Sequence, residues 1–487
     1  MRLPTIALLL LCLLPLSAAV DASTTAVVIN AESEASVAIA ARWMALRGIP
    51  EAQAIRLSAI PAGHRISLAD FKGLILDPIE AALTERGLAE RITCIAYAAD
   101  FPTAIDLPKQ DGLQSWQRGP GSLTALTLLA PLLGQTRSVI TAPFANPYAE
   151  RVEAPGAAAD LAAGQDPRIQ VAIELLQAKR YPEAIAALSE LATDHAAPAV
   201  LYNLACAQAL NDALDDAEAS LAQAIQAGWY NRAHSEADGD FAALRERPSW
   251  VKLVAAMDAA RIAIHPGPSL GFQQLPAVEG SSPGRLAMLL MPTRGRGLSL
   301  DQALSQIERS VASDGTEPTG TVYYMISKDQ ARTGPRRPLF DPAAASLREL
   351  GVEALVLPGR LPPAGSQVIG AMIGLAGFDW AKSEAHILPG AWCDHLTSTG
   401  GALQPKAGQA PFTVFLGAGA AGSGGAVSEP MNLALKFPSP FIHVHRARGL
   451  SLVEAVHRTI PCPYQYLAGG DPLSRPWRGQ AAVDTKP

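Results

Sequence analysis

Cysteine is scarce in this sequence, with five among 487 residues. Cys12 sits in an N-terminal apolar run, and Cys94, Cys206, Cys393 and Cys462 remain. Four cysteines in so long a chain are no disulfide framework, although they leave room for one bridge. They show neither a CxxC pair nor the Cys/His spacing of a structural zinc site. Charge is sparse too: charged residues make up 17%, against the ~25% usual in soluble domains. The net charge is -6, so no global positive field draws phosphates or anionic lipid, and nucleic-acid binding is not expected. Beyond the N-terminus no uninterrupted run of about 18 apolar residues occurs, so no later membrane-spanning helix is expected. Gly 40 and Pro 39 together are about a sixth of the chain, below the ~25–30% of low-complexity sequences.

What is present is enough apolar residue, 49%, to fill the cores of about three domains at roughly 150 residues each. Arg2, the apolar run Ile6 to Leu14, and the small residues Ser17, Ala18 and Ala19 before Asp21 form a signal-peptide pattern. Cleavage is expected after Ala19, with Ala22 as second choice, and places the protein in the periplasm or outside the cell. The expected layout is a signal peptide at 1–22, an N-terminal α/β domain at 23–160, a helical module at 165–258, a C-terminal α/β domain at 270–477 and a tail at 478–487.

In the N-terminal segment Ala26 to Asn30 is a short apolar run, and Val37, Ala40, Ala41, Met44 and Ala45 then fall on one helical face. Gly48 and Pro50 end that helix. Ile55 to Leu57 is β-prone, Leu68 to Arg86 reads as a helix broken at Pro78, and Ile92 to Tyr97 as a buried strand. Such alternation predicts a mostly parallel sheet covered by helices. The same texture returns after a Pro/Gly-rich linker at Pro266 to Gly284. Strands are expected at Leu286 to Met291, Val322 to Ile326, Ala354 to Leu357 and Val368 to Leu375, and helices at Leu300 to Val311 and Ala343 to Leu350.

Between these segments the chain is Ala-rich and helical. Val171, Ala172, Ala184, Leu188 and Leu191 recur 33 residues later as Leu204, Ala205, Ala217, Leu221 and Ala224. Small residues at such positions let antiparallel helices approach closely, and the segment resembles two tetratricopeptide repeats. Ala233 to Met257, with Phe241, Leu244, Trp250 and Leu253, would close the open end. The resemblance implies a protein or peptide partner.

The residues with chemical potential gather in the C-terminal third. Phe412 to Leu416 reads as a strand, and Gly417 to Gly422 after it has the letters of a dinucleotide fingerprint. No prompt helix or acidic residue about 20 positions on supports that match, so a glycine-rich turn is expected. Ser423 lies in a loose version of a nucleophile elbow, too far from the strand end to be one. His443-Val444-His445, read as a strand, would put two imidazoles on one face, and with Asp394 or Glu429 they have the donor types of a metal site without its spacing. No cofactor and no metal is therefore expected. The most suggestive stretch is His386 to Ser398, where Cys393 stands seven residues after His386 and two before His395. These are the residue types of a thiolate–imidazole pair.

Val28-Ile29-Asn30, Arg47-Gly48-Ile49-Pro50, Pro389-Gly390-Ala391, His395-Leu396-Thr397-Ser398, Ser428-Glu429-Pro430, Lys436-Phe437-Pro438 and Gly470-Asp471-Pro472-Leu473 resemble a family of exported bacterial proteins of unknown function. The layout is also distantly similar to gingipain-type cysteine peptidases. That similarity implies a caspase-like α/β core in two segments, interrupted by the helical module, with Cys393 near the nucleophile. Such peptidases carry a histidine between glycines where this chain reads Gly374-Leu375-Ala376-Gly377. His386 or His395 would then have to serve as the base. The expected function is non-catalytic binding or assembly through the helical module, the alternative a Cys/His hydrolase centred on Cys393.

Overall fold

The computed structural model describes residues 20–109, 119–134, 139–140, 145–153, 163, 166–259, 263–265 and 282–480. The leader expected at 1–22 lies outside them up to residue 19, as do residues 266–281 of the linker expected at 266–284 and residues 481–487 of the tail expected at 478–487. Val20 is buried, its N–H donates to Glu454 Oε1 at 3.1 Å, and Asp21 caps the turn that follows.

Ten strands form one sheet: β1 (Thr25–Asn30), β2 (Ala54–Leu57), β3 (Cys94–Tyr97), β4 (Leu286–Leu289), β5 (Thr321–Ile326), β6 (Glu353–Pro358), β7 (Gln367–Ile373), β8 (His386–His395), β9 (Gly422–Ala426) and β10 (Tyr466–Gly470). Their order is β6-β5-β7-β8-β9-β10-β4-β3-β1-β2. All neighbours are parallel except β9 and β10, where two five-stranded parallel halves meet in opposite directions. The two α/β segments are therefore interleaved, because β4 and β10 of the later segment complete the half that begins with β1, β2 and β3. The whole helical module is inserted between β3 and β4, which are neighbours in the sheet.

Burial on both faces explains the apolar strands. In β5, Val322 and Tyr324 enter the main core while Tyr323 and Met325 enter a second cluster on the other face. Helix α1 (Glu34–Arg47) starts at the Ser33 cap and ends at Gly48, whose φ of 66° needs no Cβ. It buries Ile39, Ala40, Trp43 and Met44. Trp43 Nε1 and Ser310 Oγ each donate to Asp471 at 2.9 Å, and Arg47 pairs with Asp471 and Asp314. Two motifs distant in sequence, Arg47-Gly48 and Gly470-Asp471-Pro472, thus meet in one joint.

Four local expectations are corrected. The helical run over 68–85 passes through Pro78: a π-helical turn at Lys72–Leu76 leads into a helix at Asp77–Glu85, and Pro78 sits in the first turn of that helix. Thr413–Gly417 is helical rather than extended. Ala418 and Gly419 do form a turn, but the glycines that follow do not extend it, since Gly422–Ala426 is the buried central strand β9. A Cβ on Gly424 would fall 2.5 Å from the Tyr466 ring, and one on Gly425 2.5 Å from the Gly400 backbone. Finally, His443 and His445 lie on a helix at Phe441–Ala447 instead of a strand.

The inserted module comprises α2 (Arg168–Gln177), α3 (Tyr181–Asp194), α4 (Pro198–Leu210) and α5 (Leu214–Ala227), then shorter α6 (Arg232–Ala237) and α7 (Trp250–Ala259). Ala172, Ala184, Leu188 and Leu191 are buried, as are Ala205, Ala217, Leu221 and Ala224. The pair Val171 and Leu204 departs from this equivalence: Leu204 is buried, but Val171, in the first described helix of the module, is 54% exposed. Phe241, Leu244, Trp250 and Met257 pack against α4 and α5. The later segment adds α8 (Leu300–Ala312), α9 (Phe340–Glu349), α10 (Phe441–Ala447) and α11 (Leu452–Arg458) to the main core. Among the described residues no helix is long and apolar enough to cross a membrane.

Candidate functional site

Strand β8 carries all three residues expected to form a thiolate–imidazole pair, and the pleat separates its neighbours by face. Trp392 enters the main core, while Ala391 and Cys393 enter the second cluster with Ala371, Ile373 and Phe415. Cys393 is fully buried, and that burial pushes its thiol up, with Asp394 adding to the effect. His395 shares its face of the strand. The His395 ring sits 5.1 Å from Phe378 and 5.8 Å from Phe415, and its Nε2–H donates to Ala410 O at 2.9 Å. Nδ1 is left as a buried lone pair without a partner among the described residues. Desolvation lowers this imidazole to about 4, so it is neutral at pH 7. His386 is exposed at the opposite end of β8: it pairs with Gln367 of β7 and Cys393 with Ala371, four residues on, so the two lie roughly 13 Å apart at ~3.3 Å per residue. No hydrogen bond joins the Cys393 sulfur to His386 or His395. A nucleophilic thiol requires an accessible, depressed thiolate, and this one is enclosed and protonated. The remaining described cysteines, Cys94, Cys206 and Cys462, are also buried and unpaired.

Asp394 points away from Cys393. Arg336 Nη1 reaches both its oxygens at 2.7 and 2.9 Å, and Tyr466 OH donates to it at 3.3 Å. Burial raises the carboxyl and the guanidinium pulls against that rise. The pair closes the carboxyl end of β7 and β8, since Arg336 Nη2 also donates to Ile373 O at 3.1 Å.

The other histidines are likewise engaged. His443 Nε2–H donates to Trp392 O at 3.1 Å and its ring fills the space over Gly370, where a Cβ would lie 2.5 Å away. Burial lowers it to about 3. His445 Nε2 is 2.7 Å from Glu150, and His457 donates to Ala287 O at 3.0 Å. Ser423 Oγ is buried within β9, with no partner among the described residues. The fingerprint glycines connect a short helix to a following strand, the reverse of the order a pyrophosphate site requires.

An open concavity lies instead in the helical module. Ser189 and Thr193 of α3, Leu201 and Leu204 of α4, and Gln223 and Gln226 of α5 line a groove of about 540 Å³. Leu201 and Leu204 form an apolar floor at 6% and 7% exposure. Gln223 and Gln226 are exposed on the wall, with no side-chain hydrogen bond to another described residue. Sequence reading picked out Leu204 as a repeat position but missed the two glutamines, because exposed helical Gln is ordinary until a groove is seen beside it. Family models, curated proteins and solved structures were each compared with this chain, and none matches.

Proposed function

We propose that this chain is an exported, non-catalytic binding or assembly protein whose helical module takes an extended peptide segment of a partner protein. The observation that carries the reading is the groove over Leu201 and Leu204, bordered by uncommitted amides of Gln223 and Gln226. An extended peptide presents alternating N–H and C=O groups. A glutamine amide offers two donors and an acceptor to match them, and the leucine floor accepts an apolar side chain. The 33-residue recurrence and the close helix contacts at Ala184 and Ala217 support the tetratricopeptide reading of the same module. The leader pattern supports export. The caspase-like reading of the sheet rests on its sequence motifs and has no catalytic part here.

Selection of short peptides from a displayed library on the full chain tests the proposal. A selected peptide should bind at least about tenfold more weakly to the Gln223→Ala/Gln226→Ala variant, roughly one lost hydrogen bond's worth of free energy. Thermal stability should not change, because both side chains are exposed. Val251→Lys, on an exposed site of α7, should bind normally. Unchanged affinity in the double variant, or an equal loss of affinity in Val251→Lys, would remove the groove from the account.

A further inference from the structure

A second cluster in the helical module lies away from the groove. On α4, Tyr202 and Cys206 are one turn apart and share a face. Asp238 and Asp240 lie in the turn after α6, and His234 of α6 stands one turn before Asp238. The sulfur of Cys206 and one carboxylate oxygen each of Asp238 and Asp240 fall within 4.8 Å of one another. Asp238 Oδ2 is the centre of the group: Cys206 Sγ is 3.8 Å from it, His234 Nε2 3.7 Å and Tyr202 OH 2.8 Å.

The His234 separation is too long for a hydrogen bond, and the Cys206 one is at the long end for a thiol donor. They are close to the edges of a tetrahedron whose corners share one ion: zinc bonds of ~2.3 Å to sulfur and ~2.0–2.1 Å to nitrogen and oxygen give edges of roughly 3.3–3.5 Å. Tyr202 then occupies the outer position from which a donor orients a ligating carboxylate. The local charge points the same way. Two carboxylates and a thiol crowd together, and the nearby Arg245 guanidinium donates to the Asp238 carbonyl at 2.5 Å rather than to either carboxylate.

We propose that Cys206, Asp238 and Asp240 bind a divalent ion of the zinc class, with the half-exposed His234 side chain turning in from beside Asp238 as fourth ligand, and so fasten the terminal helices of the module to α4. A thiolate with imidazole and carboxylates suits zinc or cobalt, whereas magnesium and calcium take oxygen alone. Binding exchanges the Cys206 S–H proton for a metal–sulfur bond and releases that proton to solvent. The ion would bridge the turn at 238–240 to the middle of α4, next to the Phe241, Leu244 and Trp250 packing that closes the repeats.

The test uses the full chain, stripped with a chelator and titrated with Co²⁺. One equivalent should produce near-ultraviolet thiolate-to-cobalt absorption, and Zn²⁺ should displace it. Zn²⁺ should also raise the unfolding temperature by about 2 °C or more when in large excess over its dissociation constant. Cys206→Ser should abolish the absorption while Cys94, Cys393 and Cys462 remain as internal controls. Asp240→Asn, at a partly exposed position that tolerates change, should weaken binding by about tenfold or more. Absence of the thiolate band at one equivalent, or its persistence in a folded Cys206→Ser protein, overturns the proposal. If Cys206→Ser does not fold, unchanged cobalt affinity in Asp240→Asn overturns it equally.

Discussion

The central sheet and the helical module use similar residue types in opposite ways. In β8, Cys393, Asp394 and His395 are consecutive, yet the pleat sends Asp394 to Arg336 on one face and Cys393 and His395 into an apolar cluster on the other. In the module, Cys206, Asp238 and Asp240 are spread over more than thirty positions and converge within 4.8 Å of one another, with His234 beside Asp238. Proximity along a strand therefore disperses chemistry, whereas a helix turn and a returning loop concentrate it. The comparison also separates two uses of burial: the sheet makes its polar groups neutral or paired, and the module leaves its amides and carboxylates at a surface.

The largest expected effect is at the buried pair in the sheet. Arg336→Met should destabilise the protein by about 3–5 kcal/mol, because Asp394 is left buried without its cation. Adding Asp394→Leu should recover most of that loss, and denaturant unfolding of both variants measures it. A single variant within about 1 kcal/mol of the wild type would mean that solvent reaches this end of β8, and the contrast with the module would fail.

Acid sharpens the same contrast. His395 and His457 are lowered to about 4 and His443 to about 3, each chiefly by burial. The unfolded chain takes up protons on these residues near pH 6.5 while the folded sheet does not. Stability is therefore fully present above about pH 6.5 and falls as pH drops towards 4. The ceiling is on the order of 3 kcal/mol per imidazole. Urea midpoints at pH 7 and pH 5 should differ accordingly, and His395→Gln should flatten the slope. A midpoint that does not move between these pH values would refute the neutral assignment.

A smaller effect is expected at Cys393. Cys393→Ala should cost about 1 kcal/mol, a typical core truncation. A thiol reagent at neutral pH should label Cys393 only on the timescale of unfolding. Rapid labelling of the native protein, lost in Cys393→Ala, would show a mobile element uncovering the sulfur and would restore the thiolate reading.

Much of this architecture was legible because local physics sufficed. Continuous apolar runs such as Ala26 to Ile29 and Ile95 to Tyr97 identify strands buried on both faces, and α1 is bounded by Ser33 and Gly48 whatever surrounds it. The 33-residue recurrence fixes the hairpin spacing, since each helix pair must present the same small residues to its neighbour. Other features depended on partners far along the chain. Gly422 to Gly425 looks like a turn until Tyr466, Trp392 and Gly400 occupy the space that side chains would need. The His443 segment reads as a strand until the fold shows it as a helix whose buried imidazole reaches the Trp392 carbonyl over Gly370. Cys393, flanked by histidines, looks reactive until β7 and Phe415 enclose it, and Cys206 looks inert until the turn carrying Asp238 and Asp240 comes back against it. Periodicity and caps are interactions between near neighbours, so one sequence determines them. Burial, proton affinity and ligand geometry are sums over groups brought together by the tertiary fold, and only the fold decided which of these cysteines, histidines and acids meet.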